Sequence, residues 1–322
     1  MKAAVTIQTG DPSVIQVQEV PKPKSKPGWV LIQVKAFGLN RSEMYTRQGH
    51  SPSVQFPRIQ GIECVGLVEE DQTGTYEKGQ QVAAIMGEMG RAYDGGYAEY
   101  VLVPLEIVFA FKSSITWSTL GDIPEMFQTV SGSVNEALEV QRDETFLIRG
   151  GTSSIGMLSC QLAKTMGVIV ISTTRKEART QALLDNGADH VIIDDGHIAD
   201  SVRALFPGGV NKVLELVGTK TLKDSLQCVA PRGVVCMTGI LGNSWSMDDF
   251  SPMYDIPSTA KLTCYAGDAE NLSAERLQGF IDEVAKGSIS LNIHSVMALE
   301  DVPKAHEMME NSQAQGKMVV EL

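Results

Sequence analysis

The sequence predicts an α/β protein: a doubly wound parallel sheet joined to a second, β-rich unit. Three observations predict it. From Glu144 onward, short apolar runs alternate with helical patterns. A Gly/Ser turn, Gly150-Gly151-Thr152-Ser153-Ser154-Ile155-Gly156, separates the first run from the helix after it. The first third is instead rich in strands: Met1–Ile7, Ile15–Val20, Val30–Phe37, Glu63–Glu69, Gln81–Met86 and Gly96–Val103, set apart by Gly, Pro and Asp clusters.

Each element has its reason. Pro21, Pro23 and Pro27 disfavour regular structure between the second and third strands. The pattern changes near residue 120. Thr145–Arg149 is an apolar strand, and the helix after the turn runs to about Met166. Val168–Ser172 is continuously apolar, as a parallel strand buried on both faces should be. Helix Glu177–Asn186 ends at Gly187, a C′ glycine. Val191–Ile193, Lys212–Val217 and Gly233–Met237 read as further strands, with helices Ile198–Leu205 and Thr221–Val229 between them. Repeated β-α-β units imply right-handed crossovers. From about Leu262 the character is mixed: helix Ser273–Lys286, strand Ile293–Met297, helix Asp301–Asn311, strand Lys317–Leu322. The simplest organisation is discontinuous. A β-rich domain over 1–123 and 265–322 encloses a parallel-sheet domain over 124–264.

Composition excludes several classes. The 322 residues carry 27 Lys+Arg against 39 Asp+Glu, a net charge of −12. A broad nucleic-acid grip, or one on an anionic membrane, needs a basic face and is disfavoured. The longest greasy run, Tyr100 to Phe111, is broken by Pro104 and Glu106 and cannot span a bilayer. The apolar stretch in Met1–Gln8 is too short for a signal-peptide core, so a cytoplasmic location is expected. The five cysteines, Cys64, Cys160, Cys228, Cys236 and Cys264, contain no C-x-x-C pair. Reduced thiols are expected, with Cys160, Cys228 and Cys236 in the core.

Read as G-x-G-x-x-G, the turn gives Gly151, Ser153 and Gly156. The first allows a tight turn, the second a close approach to a pyrophosphate, the third the packing of helix on strand. Residues Gly151, Thr152, Ser153, Ser154, Ile155 and Gly156 are therefore candidates for holding dinucleotide phosphates at a helix N-terminus. The alternative is a Gly-rich turn that binds nothing. The next strand ends Ser172-Thr173-Thr174-Arg175-Lys176. An NAD site usually places an acid here for the ribose. Three hydroxyls followed by Arg175, Lys176 and Arg179 suit a 2′-phosphate instead, which favours NADPH over NADH. A solvated helix start is the alternative.

Seven strings then carry a resemblance: Gly38-Leu39-Asn40-Arg41-Ser42-Glu43 with Arg47 and Gly49; Phe56-Pro57 before Gly61-Ile62-Glu63-Cys64-Val65-Gly66; Gly95-Gly96-Tyr97-Ala98-Glu99-Tyr100; Ile123-Pro124-Glu125 before Thr129; the Gly150–Gly156 turn; Gly187-Ala188-Asp189-His190; and Gly316-Lys317. Over essentially its whole length the chain resembles the medium-chain dehydrogenase/reductase superfamily, in its zinc-free quinone oxidoreductase (zeta-crystallin-like) branch. The resemblance implies a GroES-like β-rich catalytic domain split around a Rossmann domain. Zinc-dependent members carry Cys-x-Ser/Thr-Asp where this chain has Asn40-Arg41-Ser42-Glu43, and Gly-His-Glu where it has Gly61-Ile62-Glu63. Asn40 and Ile62 cannot replace thiolate and imidazole, so no metal is expected.

Without a Lewis acid, hydride can still reach an acceptor activated by conjugation, a quinone or an α,β-unsaturated carbonyl. By resemblance, Asn40 lies beside the nicotinamide and could donate to the substrate carbonyl. Thr129 would contact the nicotinamide end. Gly239, Ile240 and Leu241 would clamp the cofactor through backbone, and Lys317 would reach it. Tyr45, placed in the loop after Asn40, is the candidate proton donor, with solvent as the alternative. The rivals are a non-catalytic NADPH-binding structural or regulatory protein, an enoyl-thioester reductase, and RNA binding through the cofactor cleft, which the net charge opposes. The resemblance also implies a homodimer through an edge strand near Lys261–Tyr265.

Overall fold

A computed structural model describes residues 1–322. β1 (Lys2–Thr6) runs antiparallel to β2 (Ile15–Glu19), and the proline-rich stretch leads without regular structure to β3 (Trp29–Gly38). Asn40 then opens α1 (Arg41–Arg47), a helix absent from the sequence reading. It is too short for helical periodicity to register, and it buries Glu43, Thr46 and Arg47 beside Met44 and Tyr45. Tyr45 is therefore a helical residue, not a loop residue. β4 (Arg58–Ile59), β5 (Glu63–Asp71), β6 (Gln81–Ile85), β7 (Tyr100–Pro104) and β8 (Val108–Ala110) follow. The strand expected from Gly96 begins only at Tyr100. Gly96 and Tyr97 instead donate their N–H groups to the carbonyls of Gly61 and Gln60, both at 3.0 Å. A Cβ on Gly95 would lie 2.2 Å from the Gly61 carbonyl oxygen. Two of the glycine strings are thus two backbones in contact. Helices α2 (Trp117–Gly121) and α3 (Pro124–Ser131) close this stretch of chain.

Residues Gln128–Gly267 form one of two compact units. Its strands are β9 (Thr145–Arg149), β10 (Ile169–Thr174), β11 (His190–Ile193), β12 (Val210–Glu215), β13 (Val229–Met237) and β14 (Lys261–Cys264). All pair in parallel, in the order β11-β10-β9-β12-β13-β14. The connecting helices are α4 (Ser154–Thr165), α5 (Thr180–Asp185), α6 (Ala199–Leu205), α7 (Leu222–Cys228) and α8 (Pro252–Asp255). Leu147, Ile171, Val213 and Val235 from the strands pack with Ile198, Val202, Leu222 and Leu226 in its core. The helix expected over Glu177–Asn186 begins as a 3₁₀ turn at Glu177–Arg179 and becomes α-helical only as α5. Gly187 ends it at φ +107°, where a side chain would be strained. Strand order reverses between β9 and β12, and in such sheets ligands bind outside the strands' carboxyl ends at that switch point.

Met1–Phe127 and Asp268–Leu322 form the other unit. The returning chain supplies α9 (Ala274–Ala285), β15 (Ile293–Met297), α10 (Val302–Glu310) and β16 (Lys317–Glu321). Its main sheet runs β15-β16-β3-β5-β6-β8, with β7 also on β3. β16 lies antiparallel to β3 with Val319 opposite Gly38, and Leu39 N–H donates to the Met318 carbonyl at 3.0 Å. That register brings Lys317 to Asn40. No helix is long and apolar enough to cross a membrane.

Candidate functional site

In the Gln128–Gly267 unit, the turn leaves the carboxyl end of β9. Gly150 has φ +92°, open to glycine at no cost. A Cβ on Gly151 would sit 1.8 Å from Ser172 Oγ, and one on Gly156 would sit 2.7 Å from the Gly150 carbonyl oxygen. All three positions therefore require glycine. Ser153 caps α4: its Oγ accepts from Gly156 N–H at 3.1 Å and donates to the Gly150 carbonyl at 2.8 Å. The first-turn N–H groups of such a helix have no partner inside it and point at whatever binds there.

Ser172, Thr173 and Thr174 lie beside this turn but are buried. Thr173 Oγ1 accepts from Gly150 N–H at 3.0 Å, and Thr174 Oγ1 accepts from Lys176 N–H at 3.2 Å. Ser172 Oγ is sealed with no partner. These hydroxyls build the turn's floor. Arg175 and Lys176 are exposed, and Arg179 reaches back to Thr152 Oγ1 at 3.4 Å. The chain thus offers a glycine turn, an open helix start and three cations, which fit the phosphates of a dinucleotide.

Beneath the turn lies a network missed at the sequence level. Arg149 is wholly buried and grips Asp194 with two N–H···O bonds of 2.9 Å. It also donates to Asp224 at 2.7 Å, the Thr221 carbonyl at 3.1 Å and Ser225 Oγ at 3.1 Å. Burial opposes the Asp194 charge, but the Arg149 bonds outweigh it and hold the carboxyl below its usual range. Gly239 and Leu241 donate their N–H groups to the Glu215 and Leu216 carbonyls at 3.2 and 3.0 Å. Their backbone is thus anchored to the end of β12. Thr129, half-buried on α3, donates to Gln128 Oε1 at 3.4 Å.

The other unit holds a second polar cluster. Lys317 is 4% exposed. Its ammonium touches Glu63 Oε1 at 2.9 Å, Glu125 Oε2 at 3.1 Å and, closer still, Asn40 Oδ1. Asn40 Nδ2 donates to Glu63 Oε1 at 3.0 Å and to Glu43 Oε1 at 3.3 Å. Glu63 Oε2 accepts from Glu125 N–H at 2.8 Å, in the first turn of α3. Burial opposes the Lys317 charge, but Glu63, Glu125 and Asp122 outweigh it and raise its pKa further. Burial pushes Asp122 and Glu43 up to about 7. Both Asp122 carboxylate oxygens and Glu43 Oε2 are buried without a partner.

Here the expectations shift. Both N–H groups of Asn40 already serve carboxylates, so none is left for a substrate carbonyl. The Lys317 ammonium has its three N–H groups committed within its own unit. Tyr45 is 8% exposed, its ring edge-on to His50. Nor do the residues fit zinc, which takes thiolate, imidazole or carboxylate at close to 2 Å. Ile62 offers no donor atom, and the oxygens of Asn40 and Glu63 hold an ammonium. No group of three His, Cys, Asp or Glu side chains is arranged to hold a metal ion.

His306 has a structural place. Arg47, wholly buried, donates its Nε–H to His306 Nδ1 at 3.2 Å and also bonds Glu310 and the Gly10 carbonyl. Nδ1 is thus the acceptor, so Nε2 carries the proton toward Tyr97 Oη, 3.3 Å away. Burial and Arg47 push His306 down to about 3, so it stays neutral.

Known proteins agree with both units. The family model described as an alcohol dehydrogenase GroES-like domain matches residues 26–113, and that described as a zinc-binding dehydrogenase matches residues 154–277. A quinone oxidoreductase of Rattus norvegicus is 25% identical over 330 residues, covering 99% of this chain and 97% of the relative. One of Pseudomonas aeruginosa is 26% identical over 326 residues, covering 97% and 96%. A mycobacterial protein solved in complex with NADPH superposes with a TM-score of 0.88 at 25% identity, covering 100% of both chains. The chain belongs to the medium-chain dehydrogenase/reductase superfamily, in its quinone oxidoreductase branch.

Proposed function

We propose that this chain is a zinc-independent reductase that uses NADPH to reduce a quinone or an α,β-unsaturated carbonyl. The observation that carries the reading is the turn: glycines pressed onto buried hydroxyls, an open helix start, and Arg175, Lys176 and Arg179 at its rim. The mycobacterial neighbour's NADPH supports the same cofactor. When bound, the nicotinamide supplies a hydride.

The chain's own residues do the rest. The first-turn N–H groups of α4 bind phosphate. Arg175, Lys176 and Arg179 hold the 2′-phosphate. Thr129 and the segment Gly239, Ile240 and Leu241 line the nicotinamide end. A conjugated acceptor delocalises the incoming charge, which suits a chain with no zinc ligands. Asn40 takes an orienting role, since its amide is fixed by Glu63 and Lys317. Tyr45 is the proton donor, with solvent the competing source. Two copies pair through β14, whose outer edge has no partner strand.

The test is NADPH consumption against an ortho-quinone, a para-quinone, a 2-alkenal and a crotonyl thioester, with NADH as control. Turnover with a quinone or alkenal is expected. Arg175→Ala with Lys176→Ala should raise the NADPH KM roughly tenfold, the worth of about one charged hydrogen bond, and leave NADH unaffected. Thioester-only turnover would move the substrate to enoyl thioesters. NADPH binding without any turnover would make the chain a binding or regulatory protein.

A further inference from the structure

We propose that Lys317 is a built-in replacement for a metal ion: its tethered ammonium is the cation that organises Asn40, Glu63 and Glu125. The inference rests on the zinc-independent part of the reading above.

Three oxygens converge on one nitrogen, and they come from three separate elements. Asn40 is the N-cap of α1, Glu63 opens β5, and Glu125 lies in the first turn of α3. An ammonium has three N–H donors and no acceptor, so these three oxygens satisfy it completely. The side chains of Lys317 and Glu63 are 3% and 0% exposed, so water does not share the work. Asp122 also lies within electrostatic reach of the ammonium. A buried carboxylate is costly unless it is paired, and Lys317 pairs with both Glu63 and Glu125.

The backbone is shaped around that side chain. A Cβ on Gly38 would lie 2.4 Å from Lys317 Cε and 2.5 Å from Glu63 Oε1. Gly38 is therefore the vacancy through which the lysine passes. The β16–β3 register delivers it there, because Leu39 N–H bonds the carbonyl of Met318, the next residue. The positions of Asn40, Ile62 and Glu63 are those where zinc-dependent members carry Cys, His and Glu. Two of those side chains have changed, and the third binds the lysine. A metal ion can be chelated away, whereas this cation is part of the chain.

The test is chemical rescue read by melting temperature. Lys317→Ala removes three carbons and the ammonium, which propylammonium replaces atom for atom. The variant should melt several degrees below the parent. Saturating propylammonium should raise it by roughly 2–4 °C per kcal/mol of binding recovered, and the parent not at all. Tetramethylammonium, which has no N–H, should do nothing. EDTA should leave the parent's melting unchanged. Should Lys317→Ala not fold, Lys317→Met supplies the reading through a cycle with Glu63→Gln. Neutralising the stranded carboxylate should then restore stability in the Met background while destabilising the parent. A folded Lys317→Ala that ignores propylammonium, or a Lys317→Met as stable as the parent, would overturn the proposal. Because the readout is melting, inactivity toward every acceptor would leave this inference standing, and its failure would leave the reductase reading standing.

Discussion

Glu43 shows how much one buried carboxyl can shape the pH response. One oxygen accepts from Ile62 N–H at 3.0 Å and from Asn40; the other has no partner. Burial raises its pKa from 4.5 to about 7 in the folded chain. The folded state therefore holds this proton more tightly than the unfolded state. Below pH 4.5 both states are protonated and the group contributes nothing. As pH climbs from 4.5 to 7 the unfolded chain releases the proton first, and folding stability falls. Above 7 the full cost is present, on the order of 3 kcal/mol. Glu43→Gln cannot titrate, yet its amide oxygen still accepts from Ile62. Urea unfolding at pH 4.5 and pH 8 should show wild type losing about 3 kcal/mol relative to this variant. Asp122 titrates in both proteins and cancels from the difference. Parallel pH curves would refute the role given to Glu43.

At the scale of elements, the β9–turn–α4 unit was legible because each of its constraints is local. β10 is buried on both faces from Val170 onward, and its first half writes an apolar run, Ile169-Val170-Ile171. The glycines at 150 and 187 need positive φ, and those at 151 and 156 need the absence of a side chain. Such demands are met by residue type within a few positions. What stayed hidden was held by partners far apart in sequence. Lys317 meets Asn40 across 277 residues and Glu125 across 192. Helix α1 hides because three of its five buried residues, Glu43, Thr46 and Arg47, are polar, so no apolar stripe marks it. The methionines divide by position: Met309 is buried, but Met253 is 90% exposed on α8. Arg149 belongs to the hidden class, since Asp194 and Asp224 lie 45 and 75 residues on. It fastens the end of β9 to the end of β11 and to α7. Arg149→Met should cost about 3–5 kcal/mol, because it strands buried Asp194 without its counter-charge. Ser153→Ala, which removes the α4 cap together with its bond to the Gly150 carbonyl, should cost about 0.5–2 kcal/mol. Chemical denaturation distinguishes the two, and an Arg149→Met loss no larger than the cap's would remove the network from the fold's supports.

Over the whole molecule, the five cysteines act as distributed reporters. Cys64 lies buried in the unit that contains both termini, and Cys160, Cys228 and Cys236 lie buried in the Gln128–Gly267 unit. Burial pushes Cys64 and Cys228 up to about 12, and Cys160 and Cys236 up to about 11. Thiolate is the reactive form, so these four are protected twice, by access and by protonation. Cys264 is exposed on the edge strand β14. Native protein at pH 8 should therefore release one equivalent of thiol rapidly to an aromatic disulfide reagent. If copies pair through β14, that reaction should slow as protein concentration rises, which makes Cys264 a probe of the proposed dimer. In increasing urea the remaining thiols should appear in two sets. Cys160 on α4, Cys228 on α7 and Cys236 on β13 belong to one compact unit and should become reactive together. Cys64 should follow the unfolding of its own sheet, at a urea concentration set by that unit. Peptide-resolved labelling reads both sets in one titration. Several thiols reacting rapidly in the native protein, or separate midpoints for Cys160, Cys228 and Cys236, would show that the parallel-sheet unit does not unfold as one cooperative body.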